Sequence, residues 1–106
     1  MEKPKPPYFA VIFTSHRSGN EMGYDEMDRL TFKEVDRIDG YIGAESYTNS
    51  DDLHVTIAYF ATEKAILDWK SNPLHVEAQR LGQEKWYDYY NVKVCKVERE
   101  YELNKN

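Results

Sequence analysis

Four short segments rich in β-branched and aromatic residues alternate with helix-patterned stretches in the order β-α-β-β-α-β, which predicts an α+β domain of the ferredoxin-like type. Such a domain is a four-stranded antiparallel sheet with helices on one face. Size and composition agree. The chain has 106 residues, close to the size of a single core. Its 41% apolar and 14% aromatic content is more than a chain without a core carries.

Residues 1–7, Met1-Glu2-Lys3-Pro4-Lys5-Pro6-Pro7, read as an extended leader because three prolines restrict the backbone and remove amide donors. The folded domain is expected over residues 8–102, with residues 103–106 as a frayed tail. The first strand is expected over Tyr8–Ser15. A helix follows over Tyr24–Ile38, where Tyr24, Met27, Thr31, Val35 and Ile38 share one face and Leu30 lies beside it. Glu21, Asp25, Glu26 and Asp28 crowd its start, and Lys33 and Arg37 lie near its end, the polarity a helix dipole favours. Gly40 is placed to stop it. The second strand, Tyr41–Thr48, and the third, His54–Ala61, flank the polar turn Asn49-Ser50-Asp51-Asp52 and form a hairpin. Thr62 caps a short helix over Glu63–Lys70. Asn72-Pro73 ends that helix and opens another, since Asn caps and Pro suits the first helical position. This last helix is expected to run to Tyr90, with Leu74, Ala78, Leu81, Lys85 and Tyr89 on one stripe and Trp86 next to it. The fourth strand then runs from Val92 to about Tyr101.

The first and third strands are apolar at both parities and belong in the centre; the second and fourth carry Glu45, Lys93, Lys96, Glu98 and Arg99, as edges do. Helices cover only one face, so an apolar patch of several hundred Å², by rough estimate, would remain on the other. A symmetric sheet-to-sheet homodimer is the expected cover.

Composition narrows the function classes. Fourteen basic against 19 acidic residues give a net charge of −5, which argues against nucleic-acid or anionic-membrane binding as the main role. No apolar stretch approaches the roughly 20 residues of a membrane span. The polar N-terminal sequence lacks a signal-peptide apolar region, so the cytoplasm is expected. Cys95, the single cysteine, excludes an internal disulfide and a multi-cysteine metal site.

Candidate chemistry gathers in the second helical region. At helical spacing His75, Gln79, Gly82 and Trp86 form one continuous line. Gly82 costs the helix up to ~1 kcal/mol relative to Ala and leaves room beside it for something bulky. A pocket there would hold an imidazole, an amide and an indole. Elsewhere His54 beside Asp51 and Asp52 lacks the spacing of a metal site, so no metal is expected. The stretch His16-Arg17-Ser18-Gly19-Asn20 reads as a solvated loop, with anion binding through Arg17 as the minor reading. No phosphate-cradling glycine motif, nucleophile elbow or paired His-Glu zinc motif occurs.

Trp69-Lys70, His75, Ala78-Gln79, Gly82, Trp86-Tyr87, Tyr90 and the Val97-Glu98-Arg99-x-Tyr101 strand together resemble the antibiotic biosynthesis monooxygenase superfamily of dimeric α+β barrels, in an uncharacterised branch. The resemblance spans about residues 8–102 and takes in Gly23-Tyr24 and Gly40-Tyr41-Ile42-Gly43-Ala44-Glu45-Ser46. The superfamily includes cofactor-free quinol oxygenases, haem-degrading enzymes and members without known activity. Haem-degrading members use an Asn in the first strand, a Trp in the second helical region and a haem-ligating His ten positions later. Trp69 fits that pattern, but Gln79 stands ten positions on and the first strand holds no Asn. His75 could ligate haem only if the break at Asn72-Pro73 re-aimed it. The leading expectation is therefore a monooxygenase without metal or flavin, acting on a small aromatic or quinol-like molecule. Trp69, with a role implied by the resemblance, and Trp86 would stack the ring. By spacing, His75 would accept a phenolic proton and Gln79 would donate to the oxyanion, with Gly82 keeping the space open. Two alternatives stand beside it: a non-catalytic dimeric module for a hydrophobic ligand or stress adaptation, and a haem-binding protein.

Overall fold

The computed structural model describes residues 2–105. Met1 of the expected leader and Asn106 of the expected tail lie outside the described residues. The elements are β1 (Tyr8–Arg17), α1 (Tyr24–Val35), β2 (Tyr41–Thr48), β3 (His54–Phe60), α2 (Glu63–Lys70), α3 (Pro73–Leu81), a π-helical turn over Gly82–Trp86, and β4 (Tyr87–Val97). All strand pairs are antiparallel in the order β2-β3-β1-β4, the ferredoxin-like arrangement, with β1 and β3 central.

Alternation along the strands gives the sheet two unlike faces. Toward the helices, Val11 and Ala58 pack with Val35, Phe60 and Ala65, joined by Ile38, Tyr41, Ile66 and Trp69. Tyr8, Ala10 and Tyr59 are buried on the opposite face with Ile42, Ile57 and Val97. That burial corrects the expectation of a wholly bare outer face. Lys3 reaches back to place its ammonium 5.0 Å from the Tyr59 ring and 3.3 Å from the Glu100 carboxylate. The Tyr8 hydroxyl donates to Glu100 at 2.7 Å, and the Tyr59 hydroxyl donates to Glu45 at 2.6 Å. Burial first, then the Glu100 carboxylate, pushes the Tyr8 phenol up to about 12. Segments flanking the sheet thus cover one end of its outer face, while Ile12, Val55 and Ile57 remain only half-buried.

Several boundaries depart from the sequence reading, among them the ends of β3 at Phe60 rather than Ala61 and of β4 at Val97 rather than about Tyr101. Helix α1 stops at Val35 rather than Ile38, because the chain closes a tight turn (Ile38 amide to Val35 carbonyl, 3.0 Å) on its way to Gly40 at φ +94°. Strand β1 continues through His16 to Arg17 with an irregularity between the two, so Arg17 is not in a loop. The largest change is at the end of the second helical region. Regular α-helix ends at Leu81 and β4 begins at Tyr87, not Val92. Tyr89 and Tyr90 pair with His16 and Ser15 on β1, and this pairing overrides the helical spacing that had joined Lys85 to Tyr89.

Gly40 has little freedom to change. Its φ lies in the left-handed region, and a Cβ there would sit 3.0 Å from the Ala65 Cβ in the core. Gly40→Ala is expected to lower the unfolding free energy by about 1–3 kcal/mol, read from urea denaturation.

Candidate functional site

The site is built at the break between α2 and α3. Thr62 caps α2 through its hydroxyl, which accepts from the Ala65 amide at 3.1 Å. Two residues after α2 ends, the Asn72 Oδ1 accepts from the amides of Leu74 (3.0 Å) and His75 (3.3 Å), and Pro73 takes the first helical position. So short a link folds the first turn of α3 back against the last turn of α2. The His75 ring then stacks on Trp69, centroids 4.2 Å apart and planes 12° from parallel.

This packing settles the proton arrangement of His75. Its Nδ1 lies 3.0 Å from the Trp69 carbonyl oxygen and 3.1 Å from Gln79 Nε2. A carbonyl only accepts, so Nδ1 carries the hydrogen and Nε2 keeps the free lone pair. Gln79 Nε2 sits at Nδ1 in the structure; with Nδ1 protonated the carboxamide turns over, so that its oxygen accepts there and its NH₂ is left as a donor. Burial holds the imidazole below its ordinary value, only partly offset by the Trp69 carbonyl, and so favours the neutral ring.

A cavity of about 580 Å³ opens between the helices and the sheet. Val11, Phe13 and Ala58 form its floor, and Trp69, His75 and Gln79 stand on its wall. Trp69 packs on the Phe60 end of the sheet. From Val11 the floor runs six residues of β1, about 20 Å, to Arg17, where Ser15, Asp28 and Tyr87 also line the cavity.

Of the five candidate residues, Trp69, His75 and Gln79 come together on this cavity. Gly82 and Trp86 do not line it, and the expected continuous line breaks after Gln79 at the π turn. Trp86 is 3% exposed, donates from Nε1 to the Met22 carbonyl at 2.9 Å and meets Tyr24 edge-on at 5.5 Å. It is a packing residue between the π turn and α1. The space beside Gly82 is filled by the chain itself, since a Cβ there would lie 2.8 Å from the Tyr87 ring. The Tyr87 ring also lines the cavity, which does not reach Gly82. No grouping of three or more metal-ligating side chains occurs among the described residues, and His54 meets Thr48 at 3.0 Å.

Sequence reasoning had Arg17 only as a minor anion-binding reading in a loop and missed its grouping with Ser15 and Asp28. Asp28 falls on the inner stripe of α1, four residues from Tyr24 and three from Thr31, yet reads as one more acid complementing the helix dipole. The signal was an acidic residue on the apolar side of its helix. Burial raises the Asp28 carboxyl, with Arg17 opposing and Asp25 adding to the shift. Ser15 carried no sequence signal beyond its place on a central strand.

The fold is shared with several solved structures at low sequence identity. The structure superposes on SnoaB, a cofactor-independent oxygenase from Streptomyces nogalater, with a TM-score of 0.74 over 90% of this chain and 97% of that one, at 10% identity. It matches Rv0793 of Mycobacterium tuberculosis with a TM-score of 0.76 over 90% and 99% of the two chains, at 14% identity. A provisionally assigned antibiotic biosynthesis monooxygenase of Nitrosomonas europaea gives 0.69 over 92% and 95%, at 11% identity. No family model matches the sequence. The chain belongs to the family of YqjZ, an uncharacterized protein of Bacillus subtilis, to which it is 38% identical over 98 residues, 92% of this chain and 85% of that one.

The Tyr87 ring cannot withdraw freely from Gly82, because it also packs edge-on against Phe13 at 5.4 Å and Tyr24 at 6.1 Å. Gly82→Ala is expected to destabilise the fold by about 1–3 kcal/mol, despite the better helix propensity of Ala, as measured by chemical denaturation.

Proposed function

We propose that the protein is a cofactor-independent monooxygenase that acts on a small aromatic or quinol-like substrate held over Val11, Phe13 and Ala58. The observation that carries this reading is His75, held neutral with Nδ1 pinned to the Trp69 carbonyl, on the wall of an apolar cavity. Its Nε2 takes the phenolic proton and Gln79 donates to the resulting oxyanion. Trp69 keeps the imidazole in plane rather than stacking on the substrate from that side, because His75 already occupies one of its faces. The electron-rich phenolate reduces O₂. Overall, a hydroquinone and O₂ give a hydroxyquinone and water. Gln79 stands where the haem-degrading pattern requires a histidine, so haem has no place in this scheme.

Oxygen uptake with a panel of naphthohydroquinones tests the reading. Burial favours neutral His75, so kcat/KM is flat at neutral pH and falls only as pH drops below the ordinary imidazole value of about 6.5. His75→Ala should cost at least about a hundredfold in kcat while leaving the circular dichroism spectrum unchanged. Binding of a ring without oxygen uptake across the panel would leave a non-catalytic ligand-binding module instead.

The same reading takes the working unit to be a homodimer in the cytoplasm, where Cys95, a free thiol, would stay reduced. Half-buried Ile12, Val55 and Ile57 on the outer sheet face are the apolar surface a second copy would cover. Sedimentation should give a dimer, and Ile57→Glu should shift it to monomer with secondary structure retained. A wild-type monomer at high protein concentration would remove the assembly from the proposal.

A further inference from the structure

The mechanism above uses the His75 end of the cavity and gives no task to the β2 side of its floor, where a second imidazole stands. Strand pairing lays that floor out in rows. Ala44, Ala58 and Val11 are cross-strand neighbours and form an apolar row. Two residues along the strands Ser46 pairs with Thr56, and two further Thr48 pairs with His54. All four of these polar side chains line the cavity. Ser15, opposite His54 on β1, is 3% exposed and closed to a ligand, whereas Ser46 and Thr48 are exposed and Thr56 and His54 half-buried. The hydroxyls of Ser46 and Thr56 lie 3.0 Å apart, and the Thr48 hydroxyl lies 3.0 Å from His54 Nδ1. Successive rows on one face are about 7 Å apart, so the two bonded pairs make one polar patch beside the apolar row.

Each pair keeps the same spare capacity whichever way its proton points. If Thr48 donates to Nδ1, the ring keeps Nε2–H as a donor and the threonine oxygen stays an acceptor. If Nδ1 donates to Thr48, the threonine keeps its O–H and Nε2 keeps its lone pair. The Ser46–Thr56 pair likewise retains one proton and free lone pairs. A donor beside an acceptor is the complement of a hydroxyl, which does both. A carboxylate would fill only the donors, and an ammonium only the acceptors. We propose that this patch is a binding subsite for a neutral polyol group, carried as an appendage by the aromatic ring that rests on Val11 and Ala58. His54 and Thr56 are then specificity residues on the floor, remote from the proton transfer at His75. Four residues of β3, about 13 Å, separate Ala58 from His54, so the appendage reaches past the edge of the ring by several atoms.

The inference rests on the reading that the cavity holds an aromatic ring, but not on catalysis, so the test measures binding. Isothermal titration compares two naphthyl ethers, one with a butanediol tail and one with a plain butyl tail. The diol is expected to bind at least about fivefold tighter, although the butyl tail is the more hydrophobic. His54→Leu and Thr56→Val should each lower diol affinity at least about fivefold and leave the butyl ether within about twofold, which also shows that the variants are folded. His75→Ala should leave the ratio of the two affinities unchanged. A diol that binds no tighter than the butyl ether, or the same ratio in His54→Leu as in the wild type, overturns the polyol subsite while the ring reading stands. Failure of both ethers to bind overturns the two together. A diol preference that depends on His54, without oxygen uptake on any hydroquinone, supports the subsite and removes only the oxygenase.

Discussion

The site depends on a link of two residues. Between Lys70 and Pro73 there is room for one turn and no more, and Asn72 uses its side chain to start α3 at once. That places the Trp69 carbonyl, which also accepts from the Asn72 amide at 3.1 Å, within reach of the His75 ring. A helix terminus normally gives such carbonyls to water or to a cap. Here one is used to set the tautomer of an imidazole, and the indole of the same residue sets the plane of the ring. Orientation, protonation and burial of His75 therefore follow from a single local constraint.

The rest of the cavity is shaped by what the sheet leaves uncovered. Helices α1 and α2 close over the Phe60 end of the floor, and α3 packs on α1 rather than over β4. Val92 and Val94 on the helix side of β4 stay half exposed as a result. The cavity is thus a long groove with an apolar middle, an imidazole and amide on one wall, and charge at its far end.

Much of the framework was legible because local and global signals agreed. β1 and β3 are apolar at both parities and are central; Thr62 and Asn72 cap where capping residues stand; Gly40 takes positive φ. The pairing of Trp69 with His75 and Gln79 was legible as a neighbourhood, but the stack and the bonded carbonyl were not, because they depend on the angle between two helices. The misreadings share one origin. Helical spacing was carried through Gly82 to Tyr89, so Gly82 and Trp86 were counted on the same line as His75. Nothing in a residue count distinguishes an α turn from a π turn, and the competition is decided by β1, which recruits Tyr87 to Tyr90 as strand. The joining of Arg17 to Ser15, Asp28 and Tyr87 stayed hidden because these residues come from β1, α1 and β4, which meet only in the folded chain.

The π turn also sets a rule for how this chain can vary. The Tyr87 amide bonds the Gly82 carbonyl across five residues rather than four. Deleting one residue from this stretch would restore ordinary winding and deliver β4 to the sheet one position out of phase. Every β4 side chain would then change sides: Lys93 and Cys95 would turn toward the helices, and Val92 and Val94 would turn to the outer face. Insertions and deletions should therefore be tolerated in the Asn49–Asp52 hairpin and excluded between Leu81 and Tyr87, and the length of that stretch can serve as a signature when distant homologues are aligned.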